Sequence, residues 1–224
     1  MKLAIPEFPN AEYEASERRG FLCFYYPSGA VKGKALDPEI WRGKSYSPEI
    51  LDYKEGKAYA FEFFAPPFLN LLDFVLKTEK SQQASLIPVP SSIQWDDSRF
   101  SRKPRAKTDP SPRNRDDRNS VFCNLLSSRN SRLKTLDILL RQSGKQEKET
   151  WTADRHAKSL SVQVQAAPKF NPKTQLFVLV DDVSTKGGTL EGAKKAILTQ
   201  FPNTTVVSLS LAQSKDPSSF QPLS

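Results

Sequence analysis

Leu176-Phe177-Val178-Leu179-Val180-Asp181-Asp182-Val183-Ser184-Thr185-Lys186-Gly187-Gly188-Thr189 is the stretch whose reading decides the fold. Its first five residues form a continuous apolar run, as in a parallel strand covered on both faces. Two acids follow, then a hydroxyl-rich loop with two glycines, a helical pattern near Leu190 to Thr199 and another strand from Thr204 to Leu211. Strand, loop, helix and strand in that order make a βαβ unit, which predicts an α/β sheet flanked by helices. Ligands of such sheets collect beyond the carboxyl ends of the strands, where a loop leads into the next helix. Residues 181 to 189 hold that position.

The loop chemistry points to a sugar phosphate. Ser184, Thr185, Lys186, Gly187, Gly188 and Thr189 combine hydroxyls, close backbone approach and amides at a helix start, which together suit a phosphate. Asp181 and Asp182 would repel that phosphate, so they are expected to grip hydroxyl groups beside it. A lone Gly-Gly pair would read as a simple helix start, and the acids as turn caps. The complete ordered run between a buried strand and a helix favours the phosphate. Walker-type and dinucleotide glycine patterns do not fit, because neither places paired acids directly upstream of the loop.

Outward from this centre, Ser85 to Pro90 predicts a short buried strand ending in a rigid loop at Ser91-Ser92, and Leu160 to Val164 alternates like a half-buried strand. Val121 to Leu140 carries leucines at helical spacing, interrupted near Ser127 to Ser131. Phe61, Phe64, Phe68, Leu71, Leu72, Val75 and Leu76 mark a buried helix face that Pro66-Pro67 divides, with the helix firmest after the break. Glu62, Asn70 and Asp73 interrupt the same stretch, so no membrane insertion is expected. Phe21 to Tyr26 predicts a strand ended by Pro27-Ser28-Gly29, and an irregular stretch follows through Trp41 to Pro48.

From Arg99 to Arg118 there are eight Lys or Arg, three Asp and three Pro with hardly an apolar side chain, which predicts a mobile basic loop at 96–118. It is either a solvated insertion or a loop that closes over an anionic ligand. The formal charge of +8 favours an anionic partner, whether a phosphorylated metabolite, a nucleic acid or an acidic protein. Only Cys23 and Cys123 and one histidine, His156, are present, too few for a four-cysteine zinc site or a disulfide framework. A cytoplasmic location is expected, since no secretory signal opens the sequence.

The run from Val178 to Thr189 closely resembles the phosphoribosyl pyrophosphate motif of type I phosphoribosyltransferases, in which four apolar residues, two acids and a hydroxyl- and glycine-bearing loop follow in order. The resemblance implies a mostly parallel sheet of that fold, with Asp181 and Asp182 as catalytic residues on the ribose hydroxyls and Thr185 to Thr189 around the 5-phosphate. Lys186 departs from the pattern, where small or hydroxyl residues are usual. Tyr53-Lys54-Glu55-Gly56, Ile87-Pro88-Val89-Pro90, Arg115 and Arg155 fall in the order seen in ComF-type proteins of this superfamily. By that likeness, Ser91 and Ser92 either offer amides to pyrophosphate or only end a strand, and Arg155 either reaches the pyrophosphate or pairs with a surface acid. Mg²⁺ would be bound through the pyrophosphate.

The implied organisation is a small β-rich appendage at 1–50 without a zinc ribbon, a phosphoribosyltransferase-like domain at 51–216 and a tail at 217–224. The implied function is transfer of a phosphoribosyl group to a nitrogen acceptor. The alternative is a non-catalytic protein of nucleotide sensing or DNA uptake, with single-stranded DNA as a possible partner.

Overall fold

The structure, a computed structural model, describes residues 3–27, 36–90, 118–141, 160–162, 176–185 and 187–220. In chain order the elements are β1 (Glu12–Glu14), β2 (Arg19–Tyr25), α1 (Pro38–Gly43), α2 (Ser47–Lys54), α3 (Ala58–Thr78), β3 (Ala84–Pro88), α4 (Arg118–Arg129), β4 (Leu133–Thr135), β5 (Leu139–Arg141), β6 (Leu160–Val162), β7 (Leu176–Ser184), α5 (Gly188–Gln200) and β8 (Thr205–Ser214). A six-stranded sheet runs β1-β2-β8-β7-β3-β4, and only its β1–β2 pair is antiparallel. β5 and β6 form a separate antiparallel pair. The predicted α/β class with a mostly parallel sheet is what the chain adopts.

β7 lies inside this sheet, paired with β3 on one side and β8 on the other. Its period of two divides the core. Leu176, Val178 and Val180 face the cluster built with α3 and α4, while Phe177 and Leu179 face the one built with α5 and β6. A strand apolar on both faces needs cover on both, which explains why its first five residues are uninterrupted.

The expected appendage does not stand apart from the sheet. β2 pairs with β8 from Arg19↔Ser208 to Tyr25↔Ser214, and Leu3, Ile5, Phe8, Tyr13 and Leu22 share one core cluster with Phe64 and Val180. Gly20 is required by close approach, because a Cβ there would meet Glu12 O at 2.8 Å. Nor is the stretch before residue 56 irregular. Asp37 Oδ1 accepts from the amides of Glu39 and Ile40 and starts α1 with Pro38 at its first turn, and Trp41 Nε1 donates to Tyr26 O at 2.9 Å.

Two further expectations are corrected. The leucines from Leu133 onward do not continue a helix: Leu133 pairs with Ala84 and Thr135 with Leu86, so backbone pairing at the sheet edge prevails over side-chain spacing. α3 is one helix of 21 residues that runs through Pro66 and Pro67. Neither proline can donate to the carbonyl four residues back, at Glu62 and Phe63. Both of those residues are on the exposed side, where water can serve the carbonyls, and burial of Phe64, Phe68, Leu71, Leu72 and Val75 holds the helix together. Among the described residues α3 alone is long and apolar enough to cross a bilayer, and its apolar face packs against the sheet.

Pro66 is itself exposed, so Pro66→Ala restores a backbone bond without opening a cavity. Equilibrium denaturation should show a gain of about 1–3 kcal/mol. A loss would mean that α3 depends on the proline.

Candidate functional site

The site is where two chain crossovers part. From β3 the chain passes through α4 to β4, and from neighbouring β7 it passes through α5 to β8 on the other side. Phe122, Cys123 and Leu126 of α4 belong to one core cluster, and Leu190, Ala193 and Ile197 of α5 to the other, so the two helices cover opposite faces. The carboxyl ends of β3 and β7 therefore border a crevice at a topological switch point, the place where ligands of open α/β sheets bind.

β7 does not stop at Val180. It continues through Asp181 and Asp182 to Ser184, with Val183 opposite Ala212 and Ser184 opposite Gln213. The two acids thus belong to a paired strand end and not to the loop that the sequence predicts for them. What remains of that loop begins at Thr185 and ends at Gly187, and Gly188 and Thr189 already lie in the first turn of α5.

Both acids are buried, Asp181 to 9% and Asp182 to 6% exposure. Asp181 Oδ1 accepts from the Asp182 amide at 2.9 Å, and Asp182 Oδ1 accepts from the Val183 amide at 2.6 Å. The other oxygen of Asp182 receives Arg118 twice, from Nε at 3.0 Å and Nη2 at 2.6 Å. Beside them, Tyr53 donates to Asn119 Oδ1 at 3.0 Å. Asn119 Nδ2 donates to Val89 O at 2.8 Å and, at 3.4 Å, approaches Asp181 Oδ1. This buried chain ties the end of α2 and the start of α4 to the end of β3.

Electrostatics separate the two acids. Burial pushes the Asp181 carboxyl up, the charge of Asp182 pushes it further, and it reaches about 7. Burial also acts upward on Asp182, but the Arg118 guanidinium, then Lys54 and the Val183 amide, override it and hold that carboxyl below the usual range. Lys54 comes from the end of α2, with its ammonium 4.6 Å over the Tyr25 ring. At neutral pH Asp182 is a fixed anion, while Asp181 is able to accept or donate a hydrogen bond. Carboxyls pushed apart in this way can hold vicinal hydroxyls and support positive charge on the carbon that bears them.

Beyond the end of β7, Gly187 starts α5 at φ 75°, a left-handed conformation that favours glycine. A Cβ on Gly187 would lie 4.0 Å from Arg19 Nη1, so a guanidinium borders this turn. Ser184, Gly188 and Thr189 are half-buried and Thr185 is exposed. Lys186, Ser91, Ser92, Arg155 and the basic segment up to residue 117 lie outside the described residues; Arg118, the last of that segment, opens α4.

Arg118, Asn119, Tyr25 and Arg19 escape the reading of the motifs. Tyr53 and Lys54 are quoted there only for their place in a family order. Their shared signal is weak, since Tyr53 meets Asn119 across 66 positions and Arg118 meets Asp182 across 64. Among the described residues no group of three or more His, Cys, Asp or Glu could hold a metal ion. No protein-family model matches the chain, and no curated protein matches it.

The folded-state carboxyl of Asp181 lies above its unfolded range of about 4, so the folded protein holds an extra proton between about pH 4 and pH 7. The associated stability is complete below that window and lost as pH rises through about 7. Asp181→Asn should therefore melt higher than wild type at pH 8, with the difference shrinking toward pH 5. A difference that grows toward acid would show that Asp181 has no raised pKa.

Proposed function

We propose that the chain has a type I phosphoribosyltransferase fold, binds phosphoribosyl pyrophosphate in the crevice between β3 and β7, and transfers its phosphoribosyl group to a nitrogen acceptor. One observation carries this reading: a buried carboxyl pair lies near the end of β7 at the switch point, a few positions before a left-handed glycine that starts a helix. Paired acids call for hydroxyls, and the helix start calls for a phosphate. Ribose 5-phosphate carries both.

In the reaction so assigned, the acceptor nitrogen bonds to the anomeric carbon as the bond from that carbon to pyrophosphate breaks. Pyrophosphate leaves with the electron pair, and the acceptor gives up a proton. Asp182, kept ionised by Arg118 and Lys54, supports the positive charge that develops on the ribosyl ring. Asp181 fixes the neighbouring hydroxyl. The turn from Thr185 to Thr189, with Arg19 at its border, anchors the 5-phosphate and so orients the anomeric carbon.

Mg²⁺ fits this donor set as an ion carried by the substrate, since such ions are commonly held by phosphates with one or two protein carboxylates. Its chemistry is neutralisation of the departing diphosphate. A second reading is favoured by the charge of +8: a ComF-type protein in which the same crevice senses a nucleotide and the basic surface binds single-stranded DNA. A cytoplasmic site of action suits either.

Incubation with phosphoribosyl pyrophosphate, Mg²⁺ and a panel of bases and ammonia should release pyrophosphate. Binding without release for any acceptor would select the sensor. In calorimetry, Asp181→Asn with Asp182→Asn should weaken phosphoribosyl pyrophosphate more than tenfold, as each charge-assisted bond is worth about 1.5–3 kcal/mol. Inorganic phosphate should be little affected. Equal loss for both ligands would count against the assignment of the acids to the sugar.

A further inference from the structure

The carboxyl edge of the sheet rises from β3 to β2. Pairing between β3 and β7 ends at Pro88↔Val180, β7 and β8 stay paired to Ser184↔Gln213, and β8 and β2 to Tyr25↔Ser214. Tyr25 therefore stands three residues beyond the row of Asp182 and two strands across from it, roughly 10 Å in each direction. The ends of β2 and β8 make a shoulder on the side of Asp182 away from β3.

Tyr25 shares a core cluster with Ile50 and Tyr53 of α2, and Lys54, the last residue of α2, holds its ammonium 4.6 Å from the centre of the Tyr25 ring. The ring face keeps the ammonium in place without consuming its donors. Among the described residues the Lys54 side chain makes no hydrogen bond and no ion pair, and the Tyr25 hydroxyl makes no hydrogen bond. Both polar ends lie near Asp182. Burial first and then the Asp182 charge push the Tyr25 hydroxyl up, and Lys54 joins Arg118 in holding the Asp182 carboxyl low against its burial.

What such a pair recognises follows from its chemistry. An ammonium has three donors and no acceptor, and a hydroxyl turns to donate or accept, so together they suit a ligand oxygen and leave an amino group that faces the ammonium unmatched. With the Asp182 anion close by, the place suits a neutral or singly charged oxygen better than a diphosphate. A sugar whose diol is held by the acids has its anomeric carbon next to that diol. The ring joined to this carbon is the part of the ligand that the shoulder meets.

We propose, resting on the sugar-phosphate reading of the crevice, that Lys54, assisted by Tyr25, is a specificity-determining residue that selects as acceptor a planar nitrogen ring bearing an oxo or carboxylate oxygen. Ammonia, and rings that present an amino group in that place, are discriminated against.

The test uses ligands that resemble the product and need no turnover. Inosine and adenosine 5′-monophosphate differ by an oxo against an amino group on one ring, and uridine and cytidine 5′-monophosphate differ in the same way on a smaller one. Every member carries ribose 5-phosphate, so a change in the sugar site cancels in the ratio within a pair. In calorimetry the wild-type protein should bind the oxo member about tenfold tighter in at least one pair. Lys54→Met keeps the apolar stem over Tyr25 and removes the donors, and it should bring that ratio to within about twofold of unity. Lys54→Gln, whose amide both donates and accepts, should do the same, and it decides if the Met variant fails to fold. Tyr25→Phe should lower the ratio less. A wild-type ratio near one in both pairs, or a preference that survives in the Lys54 variants, would overturn selection by Lys54, while binding of ribose 5-phosphate itself leaves the sugar site standing. Wild-type protein that binds neither ribose 5-phosphate nor any of the nucleotides would overturn the sugar site and the selection with it.

Discussion

The divergence of two crossovers from adjacent parallel strands is the constraint on which the rest depends. Connections between parallel strands are almost always right-handed. When β3 sends its chain through α4 to one side and β7 sends its chain through α5 to the other, the two helices must cover opposite faces. Neither helix then roofs the gap between the carboxyl ends of β3 and β7. Every polar group of the site is brought to this gap by an element whose own place is fixed by apolar packing: Asp181 and Asp182 by β7, Asn119 and Arg118 by α4, Tyr53 and Lys54 by α2.

Placing two carboxyls side by side at the end of a buried strand is costly unless each is compensated differently. One receives a guanidinium and a nearby ammonium and stays charged; the other keeps a proton within reach because it is buried and its neighbour is charged. The arrangement is mutually dependent. Asp181 owes part of its raised pKa to the anion at Asp182, and that anion persists through Arg118. Tyr53 and Asn119 add no net charge but satisfy buried donors and acceptors, including Val89 O.

The legible part of the sequence was the part whose signal is local. Leu176 to Val180 is apolar on both faces because the strand is covered on both, and the change to Asp181-Asp182 marks where pairing with β3 ends, although pairing with β8 runs on to Ser184. Asp37-Pro38-Glu39 and Ser47-Pro48-Glu49 carry ordinary helix-start chemistry and could have been read, yet the surrounding Gly and Ser made the stretch look irregular. The leucines from Leu133 to Leu140 mislead in a different way. Spacing of three and four is compatible with short strands whose side chains are shared between two core clusters, as Leu133 and Leu139 are. Arg118 was hidden in a basic run, where nothing local marks it as an arginine that meets a buried carboxylate. That distinction is made by a carboxylate 64 positions away.

The pairing of β2 with β8 joins nearly the first strand of the chain to the last, and Cys23 Sγ reaches Leu211 O across 188 positions. A sheet closed by so distant a pair has a high contact order, and its loop-closure entropy must be met before the contact returns anything. During synthesis β2 can find its parallel partner only after β8 has emerged, so an apolar strand edge has to wait through most of translation. The short β1, folded back on β2 where Gly20 lets the backbones close up, covers the opposite edge of β2 from the outset. A hairpin that looks like a minor border of the finished sheet thus leaves β2 with one open edge instead of two while the rest of the protein is still being made.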